Sequence, residues 1–486
     1  MRIRRLDRLM ASVVVAWRRR HDKILAHKSL PYQETIDRYK AEIQKIINNA
    51  DHYRSTSTIS PTDVSGKTLL TDYREIYSGL DDLGNVLMVE TSDETKVYRG
   101  ILPHKAEFFM QMFSCGILQS LAAEGRIVKI KLTDYYTKTY PLIVEIEMLF
   151  IGHPSVWTFA MLRECAINIL IIREALQPFG YTLLDGHGSN AAFCRNRPVF
   201  FDIGSFVKKG GNSWFDTEFY RYYICALLML SIPDSFWGRY LLSFGAVRQF
   251  PSLYHIDESL EWRNLRKRFL CFHRWHSCRI YRKVIHKLLI DKQLRPEYID
   301  LAFGRRYADT HEFYLRENAA CIISDLPEKI RQYAPDAKTA LVLAGGKGEI
   351  GERLEAGGQF SRTISIDASE HAIDEGRKLH TNSRLHLLFH NPFGVLLAPK
   401  EFTSQLLRSD IAILPNMTPL KKMRNSDAIL AITGLYSSKY VVVGVEGNIA
   451  EEIMFEKQFK KQFRLLHTFR DQNMSICIGK HFDSHD

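Results

Sequence analysis

Long apolar runs are absent from this chain of 486 residues, and no uninterrupted stretch approaches the roughly 20 apolar residues that a membrane-spanning helix needs. The segment from Arg2 to Arg20 joins arginines to a short apolar stretch, but more arginines follow where a signal peptide would have small residues. We therefore expect neither a membrane-spanning helix nor a signal peptide. The segment is predicted to form a basic helix that docks on the protein itself or makes a weak contact with an anionic membrane surface.

Cysteine is also scarce, with eight residues scattered along the chain, several of them inside apolar runs. This distribution is typical of reduced thiols that pack as small hydrophobic side chains, and it predicts a cytoplasmic protein. Four potential metal ligands lie close together at Cys271, His273, His276 and Cys278. On the continuous helix predicted there, these side chains point in different directions and cannot close a tetrahedron, so no metal site is expected.

The positive charge of the chain is spread out rather than concentrated. Lys and Arg number 66 against 55 Asp and Glu, which gives a formal net charge of +11. Only Arg2–Arg20 and Arg263–Lys287 are dense in basic residues, so sequence-specific binding of nucleic acid is not expected. The second segment also contains aromatic residues, and it is interpreted either as a solvated helix face or as a contact for an anionic glycan, lipid or nucleic acid.

The order of the predicted elements divides the chain into four parts. Residues 1–66 are predicted to form a basic helical lead-in and a linker, and residues 67–211 a small α+β region. Residues 212–337 are predicted to be mostly helical and basic, and residues 338–486 alternate short buried strands with helices. Such alternation is typical of a parallel sheet covered on both faces, so the predicted fold class is α/β, with a Rossmann-like domain at the C-terminal end.

A glycine-rich turn follows the first strand of this C-terminal part, in the sequence LVLAGGKGEI. Gly345, Gly346 and Gly348 permit a tight turn and a close approach of a ligand to the backbone. Asp367 ends the next strand about twenty residues later, where a carboxylate accepts hydrogen bonds from both ribose hydroxyls of a nucleoside. The spacing predicts a nucleotide-cofactor site. The alternative is a plain turn, with Asp367 capping the following helix.

The glycine turn and Asp367 resemble the class I methyltransferases that depend on S-adenosylmethionine (SAM). The resemblance implies that SAM is the cofactor, that the three glycines and Asp367 bind it, and that Asn391 contacts the adenine. An Asn-Pro turn is the alternative for Asn391. Two positions depart from the family pattern, because the family usually has an acidic residue where Val342 stands and a glycine where Ala344 stands.

The fourth strand of the predicted domain and the loop after it occupy the place that normally faces the methyl acceptor. Asp410 and Asn416 are the polar residues of this segment, and they are the candidate catalytic side chains. Methyl transfer needs little acid-base chemistry beyond holding the sulfur, the methyl group and the acceptor in line, so few polar groups suffice.

A second polar motif lies in the middle of the chain. Asp185 is followed by Asn190 and, after two apolar strands, by Asp202 in an Asp-x-Gly sequence. The spacing resembles that of protein-kinase-like and aminoglycoside-phosphotransferase-like folds. In those folds the first Asp receives the proton of the acceptor hydroxyl, and the other two residues hold magnesium against the phosphates of ATP. The alternative is a structural loop tied together by capping and turn hydrogen bonds.

The small lobe expected before this motif is less distinct. No GxGxxG sequence precedes the motif, and Arg99 or Lys96 stands where such folds have a phosphate-binding lysine. Glu107 or Glu124 is the candidate ion-pair partner on the helix that follows.

Taken together, the two halves are similar to a bacterial family of methyltransferase-like proteins that includes the rhizobial nodulation protein NoeA. The resemblance covers most of the chain beyond Gly84, and its most individual piece is HPSVWTF, which contains His153, Pro154, Trp157 and Phe159. It implies a role in host-specific nodulation or glycan modification.

Three functions are consistent with these observations. The first, which we favour, is a SAM-dependent methyltransferase that acts on a small molecule or a glycan precursor. The second is a non-catalytic scaffold or regulatory protein in which both nucleotide sites have decayed. The third is a phosphotransferase that uses the kinase-like loop.

Overall fold

The computed structural model describes twelve stretches of the chain and two isolated residues, 149 and 420. These are residues 32–55, 61–76, 83–90, 95–147, 149, 154–210, 214–230, 279–304, 325–381, 383–390, 407–418 with 420, 425–471 and 474–482. The predictions for Arg2–Arg20, His153, the Cys271–Cys278 segment and Asn391 lie outside the described residues.

The first part of the chain, called the N-terminal lobe, contains a five-stranded antiparallel sheet in the order β2-β3-β4-β7-β5. The strands up to this point are β1 (Thr68–Leu69), β2 (Arg74–Ile76), β3 (Val86–Glu90), β4 (Thr95–Ile101), β5 (Ile130–Leu132), β6 (Tyr135–Tyr136) and β7 (Leu142–Ile146). Strands β1 and β6 form a separate parallel pair. Strands β3 and β4, neighbours in sequence, pair antiparallel.

Two helices, α2 (Pro103–Ser114) and α3 (Ile117–Ala123), follow β4 and are separated by a short break. The break falls at Gly116, which has a φ of +82°. A Cβ atom at this position would lie 2.0 Å from the carbonyl oxygen of Ala50. The backbone of helix α1 (Tyr32–Tyr53) therefore approaches so closely that only glycine fits, and the helix is interrupted there.

A long helix, α4 (Phe159–Leu176), forms the centre of the helical half of the lobe, and its side chains are buried on nearly every side. Helix α1 packs against it, and the Ser120 hydroxyl on α3 donates a hydrogen bond to the Ile46 carbonyl on α1 at 2.6 Å. On α8 (Pro296–Phe303), Asp300 pairs with Arg38 of α1 at 2.5 Å. The lead-in helix and part of the connecting region thus share the core of this lobe.

Four short strands follow α4 and carry the polar motif. They are β8 (Tyr181–Leu183), β9 (Ala191–Cys194), β10 (Arg197–Phe200) and β11 (Phe206–Lys208). Strand β9 pairs with β10 and β8 with β11, both antiparallel. The loop from residue 184 to 190 and the turn from residue 201 to 205 are therefore held next to each other.

Among the described residues between β11 and β12, the regular elements are helical. Helix α5 (Phe215–Phe219) continues through a π-helical turn, Tyr220–Ile224, into α6 (Cys225–Leu230), and α7 (Arg279–Leu289) precedes α8. The π turn places an extra residue in the helix directly after α5, which carries Glu218.

The C-terminal domain contains a seven-stranded sheet in the order β14-β13-β12-β15-β16-β18-β17. Its strands are β12 (Thr339–Leu343), β13 (Arg362–Asp367), β14 (His386–Phe389), β15 (Ser409–Leu414), β16 (Ser437–Glu446), β17 (Arg464–Asp471) and β18 (Met474–Lys480). Its helices are α9 (Leu326–Tyr333), α10 (Glu349–Ala356), α11 (Glu370–Leu379), α12 (Ser426–Leu435) and α13 (Ile449–Gln462). Strands β12 to β16 are parallel, and β18 lies antiparallel between β16 and β17.

This sheet buries both of its faces, as the alternation of strands and helices predicts. Along β12 the side chains of Leu341 and Leu343 enter one apolar core, and those of Ala340 and Val342 enter another. The first core is continuous with that of the N-terminal lobe and includes Phe159. The α/β fold class is confirmed. The order in which the chain adds strands reverses between the parallel strands β12 and β15, as it does in Rossmann-like sheets. In such sheets a crevice forms at the carboxyl ends of the strands next to this point.

None of the helices in the described part of the chain combines the length and the apolar character needed to cross a bilayer.

Candidate functional site

The glycine turn joins the carboxyl end of β12 to the start of α10. Gly346 and Gly348 have φ values of +59° and +95°, and Ala344 has a φ of +50°. A left-handed conformation costs an alanine roughly 1 kcal/mol or more, so the turn keeps the geometry of a glycine at position 344 without having one there. Ala344 therefore has a backbone conformation that glycine adopts more readily.

The three glycines of the turn differ in what surrounds them. A Cβ at Gly345 would lie 2.1 Å from Ser365 Oγ, and a Cβ at Gly348 would lie 2.7 Å from Leu387 Cδ2. A Cβ at Gly346 would meet only Glu349 Oε2 within 4 Å, at 3.9 Å. Gly345 and Gly348 are thus required for packing, whereas Gly346 presents the open side of the turn.

Asp367 lies at the end of β13 and holds the turn in place. Its Oδ2 accepts a hydrogen bond from the Gly346 N–H at 2.9 Å, and its Oδ1 accepts one from the Ser369 N–H at 2.7 Å. The residue is 4% exposed, and burial raises the pKa of its carboxyl group. Because each carboxylate oxygen has two acceptor directions, these bonds leave acceptor capacity for a ligand.

Glu349, the first residue of α10, also lies near Gly346, because a Cβ at Gly346 would be 3.9 Å from its Oε2. Its Oε2 is buried and has no hydrogen-bond partner among the described residues. A buried carboxylate oxygen without a partner carries an unmet desolvation cost, so it is suited to receive a cationic or N–H group from a ligand. The sequence matches the family pattern at Glu349, but that match alone suggests no role for the side chain.

Asp410, a candidate catalytic residue, lies at the edge of the sheet opposite the glycine turn. It is the second residue of β15, at the amino end of the strand, and its Oδ2 accepts hydrogen bonds from the N–H groups of Lys338 and Thr339 at 2.7 and 3.0 Å. Leu414, at the carboxyl end, is four positions further along the strand, which corresponds to roughly 13 Å. Asp410 therefore ties the starts of two strands together at the edge opposite the glycine turn.

Asn416 follows the carboxyl end of β15 and lies at the same edge as the glycine turn. Its Oδ1 accepts a hydrogen bond from the Thr418 N–H at 2.9 Å, and its Nδ2 lies 3.4 Å from Glu446 Oε2 at the end of β16. These contacts hold the amide in a fixed orientation at the carboxyl edge.

His390, the residue before Asn391, directly follows β14 and so lies at the carboxyl edge of the sheet. Its Nε2 lies 2.7 Å from the Tyr436 hydroxyl, and burial lowers its pKa to about 4. The folded protein therefore keeps this imidazole neutral at physiological pH.

We expect acid to destabilise the protein through His390. Its pKa in the folded state, about 4, lies below the roughly 6.5 of an unfolded histidine, so the unfolded chain binds more protons between these values. Stability is fully present above about pH 6.5 and falls as the pH drops towards 4, by about 1 kcal/mol per pH unit at most for this group. Urea unfolding at several pH values measures this slope. The slope should be shallower in His390→Gln, and equal slopes would contradict the assignment.

The polar motif of the N-terminal lobe is brought together in the structure. Asn190 Nδ2 donates to Asp185 Oδ1 at 2.7 Å, and the Ser205 hydroxyl lies 3.0 Å from Asp185 Oδ1 and 2.5 Å from Asp202 Oδ2. The Gly204 N–H donates to Asp202 Oδ1 at 3.1 Å. Ser205, which the sequence analysis did not select, links the two carboxylates.

Arg99 is the basic residue of β4 that acts on this motif. It is 6% exposed, and burial lowers the pKa of its guanidinium, an effect that the Asp202 carboxylate opposes only in part. The two candidate partner carboxylates make other contacts: Glu124 accepts from Lys45 at 2.8 Å, and Glu107 accepts from Gln111 at 3.2 Å.

Two further polar residues, His187 and Glu218, lie beside Asp185. The Glu218 Oε2 accepts a hydrogen bond from the Gly186 N–H at 3.3 Å, and His187 Nε2 is 3.7 Å from Asp185 Oδ2. Burial raises the pKa of the carboxyl groups of Asp185 and Glu218, and His187 opposes the rise in both. The Asp202 carboxylate raises the pKa of Asp185 further, and the Asp185 carboxylate raises that of Glu218. Glu218 lies on a helix after the motif, so no local spacing pointed to it.

The described residues of the HPSVWTF sequence, 154–159, contact both the polar loop and the C-terminal domain. Trp157 is 1% exposed and packs edge-on against Phe193, with ring centroids 5.3 Å apart. A Cβ at Gly188 would lie 3.0 Å from the Pro154 ring. The tryptophan and proline thus support the loop that carries Asp185 and Asn190.

Acidic residues of α11 cap the start of α4, directly after this sequence. Glu370 accepts a hydrogen bond from the Phe159 N–H at 2.8 Å, and Asp374 accepts one from the Thr158 hydroxyl at 2.5 Å. Carboxylates at a helix N-terminus satisfy free N–H groups and interact favourably with the helix dipole. The helix that follows Asp367 is therefore also a cap for the central helix of the N-terminal lobe.

Arg377, two turns after Glu370 on α11, also joins the C-terminal domain to the N-terminal lobe. It is 6% exposed, donates to Glu164 at 2.5 Å and to the Asn196 carbonyl at 2.7 Å, and lies over the Phe193 ring at 4.9 Å. A buried guanidinium with these partners fixes the orientation of α11 against the lobe.

No protein-family profile and no curated protein sequence matches the chain. Among solved structures it is similar to EvdMO1, at 14% identity and a TM-score of 0.26, over 32% of this chain and 40% of that one. The N-methyltransferase NodS from Bradyrhizobium japonicum WM9 matches at 10% identity and a TM-score of 0.27, over 34% of this chain and 99% of NodS. Magnesium protoporphyrin IX methyltransferase (ChlM) from Synechocystis PCC 6803 matches at 8% identity and a TM-score of 0.25, over 32% and 82%.

These similarities cover about a third of the chain at low identity, and they say nothing about the rest. The fold assignment therefore depends on the order of the strands and on the glycine turn between β12 and α10.

Proposed function

We propose that the C-terminal domain is a methyltransferase domain that binds SAM at the glycine turn. The observation that carries the proposal is that the buried Asp367 carboxylate and the buried Oε2 of Glu349, which has no hydrogen-bond partner among the described residues, both lie beside Gly346. In this proposal Asp367 accepts hydrogen bonds from the ribose hydroxyls, and Glu349 Oε2 accepts one from the ammonium group of the methionine part. These two groups match the diol and the cation that the cofactor carries.

The missing acid at Val342 is compensated in this proposal by Glu349. Val342 is buried in the apolar core on the far face of β12, so its side chain takes no part in the site. Glu349 supplies a carboxylate from the helix side of the same turn instead.

Bound SAM would supply an activated methyl group on a sulfonium ion, and the protein has only to bind and align the reactants. Asp367 and Glu349 orient the cofactor along the carboxyl edge. Asn416, which lies at that edge beyond β15, is the candidate for positioning a small-molecule or glycan-precursor acceptor through its amide.

Calorimetric titration of the full chain with S-adenosylhomocysteine tests the proposal. A single binding event with 1:1 stoichiometry supports it. No heat and no thermal stabilisation at millimolar ligand would overturn it, and would favour the non-catalytic alternative.

Replacing Glu349 with glutamine is expected to weaken the binding of S-adenosylhomocysteine by about tenfold or more, because a charge-assisted hydrogen bond contributes roughly 1.5–3 kcal/mol. Binding of 5′-methylthioadenosine, which lacks the amino-acid part, should be unchanged. Calorimetry with the two ligands measures the difference.

The matched control is Glu352→Gln on the same helix, whose carboxylate lies 3.0 Å from His380 Nδ1. This variant should bind both ligands as the wild type does. An equal loss of both ligands in Glu349→Gln would mean that Glu349 supports the turn rather than the amino-acid part.

A phosphotransferase activity of the N-terminal lobe is the second candidate. It is supported by the contacts that join Asp185, Asn190 and Asp202 through Ser205, and by the charge of Arg99 acting on Asp202. In this proposal the lobe is kinase-like and takes magnesium-ATP. A separate titration with magnesium-ATP tests it, and the absence of binding would exclude it.

A further inference from the structure

Two carboxylates and one imidazole converge at the start of the polar loop, outside the three residues that the sequence motif selects. Asp185, His187 and Glu218 each offer one ligand atom, and these atoms all lie within 4.8 Å of one another. Asp185 and His187 come from the loop after β8, whereas Glu218 comes from helix α5. The tertiary structure, and not a local sequence pattern, brings them together.

The two carboxylates are held in position by contacts on their other sides. Asp185 Oδ1 accepts from Asn190 at 2.7 Å, which leaves Oδ2 turned towards His187. Glu218 is held by the Gly186 N–H at 3.3 Å. Both side chains are therefore oriented by the fold, and each keeps acceptor capacity.

The imidazole of His187 gives an independent indication of a ligand. Its Nδ1 is buried and has no hydrogen-bond partner among the described residues. Its Nε2 lies 3.7 Å from Asp185 Oδ2, which is beyond hydrogen-bonding distance. Nε2 thus faces the carboxylate without a hydrogen bond to it, and it is the ring nitrogen that an ion among the three side chains would bind, with Nδ1 left on the other side of the ring.

We propose that Asp185, His187 and Glu218 bind a divalent first-row transition-metal ion. Bonds of about 2.1 Å place ligand atoms roughly 3–4 Å apart, so the three side chains have to close by about 1 Å around the ion. A set of two carboxylates and one imidazole suits ions such as Mn²⁺, because oxygen ligands favour harder ions and imidazole favours transition metals.

The site has a path to solvent and free coordination positions. The side chains of His187 and Asp185 are 25% and 19% exposed, so an ion and its water molecules can reach them. Three protein ligands leave positions open for water or for an oxyanion, as in metal sites that bind substrates.

This ion differs from the magnesium that the kinase-like resemblance assigns to Asn190 and Asp202. Asp202 already accepts from Ser205 at 2.5 Å and from the Gly204 N–H at 3.1 Å, and it faces the charge of Arg99. Asp185 and Glu218 are like charges close together, with the imidazole of His187 beside them. The cation is therefore expected on the His187 side of the motif.

The test is a titration of the full chain with Mn²⁺ after removal of metals by a chelator, with free Mn²⁺ measured by electron paramagnetic resonance. Wild type is expected to bind one Mn²⁺ ion that His187→Ala and Glu218→Gln bind about tenfold more weakly or not at all. Asp216→Asn, two residues before Glu218 on the same helix, is the matched control and should bind as the wild type does. Pulsed spectra of the bound ion should show coupling to a histidine nitrogen that is absent in His187→Ala.

Three results would overturn the proposal. One is a wild-type affinity no greater than that of the two variants. Another is unchanged binding in His187→Ala together with loss in Asn190→Ala, which would place the ion on the other side of the motif. The third is a bound ion without nitrogen coupling. If His187→Ala does not fold, as judged by circular dichroism, His187→Gln replaces it and carries the same expectation.

Discussion

Replacing Asp367 with alanine is expected to reduce the affinity for S-adenosylhomocysteine at least about a hundredfold. Two charge-assisted hydrogen bonds to the ribose hydroxyls contribute roughly 3 kcal/mol or more, and each 1.4 kcal/mol is a factor of ten in affinity. The substitution also removes the acceptor of the Gly346 and Ser369 N–H groups, so the turn loses the bonds that hold it. Isothermal calorimetry on the full chain measures the effect.

Asp410→Asn is the control for this experiment. Asp410 is an aspartate of the same sheet, but it lies at the opposite edge, where it accepts from Lys338 and Thr339. The variant should bind S-adenosylhomocysteine as tightly as the wild type, even if it is less stable. A loss of affinity in Asp410→Asn that equals the loss in Asp367→Ala would contradict the proposed cofactor site.

Replacing Arg377 with alanine is expected to destabilise the protein by about 2 kcal/mol, because the buried Asn196 carbonyl is left without this donor and the packing of the guanidinium stem is lost. Glu164 would lose its 2.5 Å contact, and the Asn196 carbonyl would lose its donor. The packing of the guanidinium over Phe193 would be lost as well. The midpoint of urea unfolding, followed by tryptophan fluorescence because Trp157 lies at this contact, measures the change.

Lys378→Ala, at the adjacent position, is the matched control. The Lys378 side chain is 77% exposed and its one ion-pair contact, to Glu375, is 3.9 Å long, so its loss should change stability by less than about 0.5 kcal/mol. Equal stabilities of Arg377→Ala and the wild type would show that α11 is not fixed against the N-terminal lobe by this residue.

The part of the proposed cofactor site that could be predicted is formed by residues close to one another in the sequence. The glycine turn and Asp367 follow from a strand, a turn and a second strand, and the β12–β13 pairing brings the Asp367 carboxylate to the Gly346 N–H. The role proposed for Glu349 was not predictable in the same way. Whether a carboxylate in the first turn of a helix points to solvent or into a site depends on its rotamer and on the packing around it.

Asp410 shows why position within a strand matters more than proximity to a motif. The sequence SDIAIL predicts a strand, and Asp410 and Asn416 look equivalent as polar residues near its two ends. Only Asn416 follows the carboxyl end, where the loops of a doubly wound sheet form a crevice. Because Asp410 is the second residue of the strand, the same rule places it at the amino end, away from the crevice.

The sequence by itself determined the alternation of strands and helices after residue 338, the glycine turn, and the grouping of Asp185, Asn190 and Asp202, because each depends on contacts between residues close in the chain. The tertiary structure decided the rest. Glu218 reaches the loop of Asp185 from a later helix, and Glu370, Asp374 and Arg377 reach the N-terminal lobe across some two hundred residues. Such contacts arise from how whole elements pack, and no local pattern of polarity specifies which distant side chain will fill a given gap.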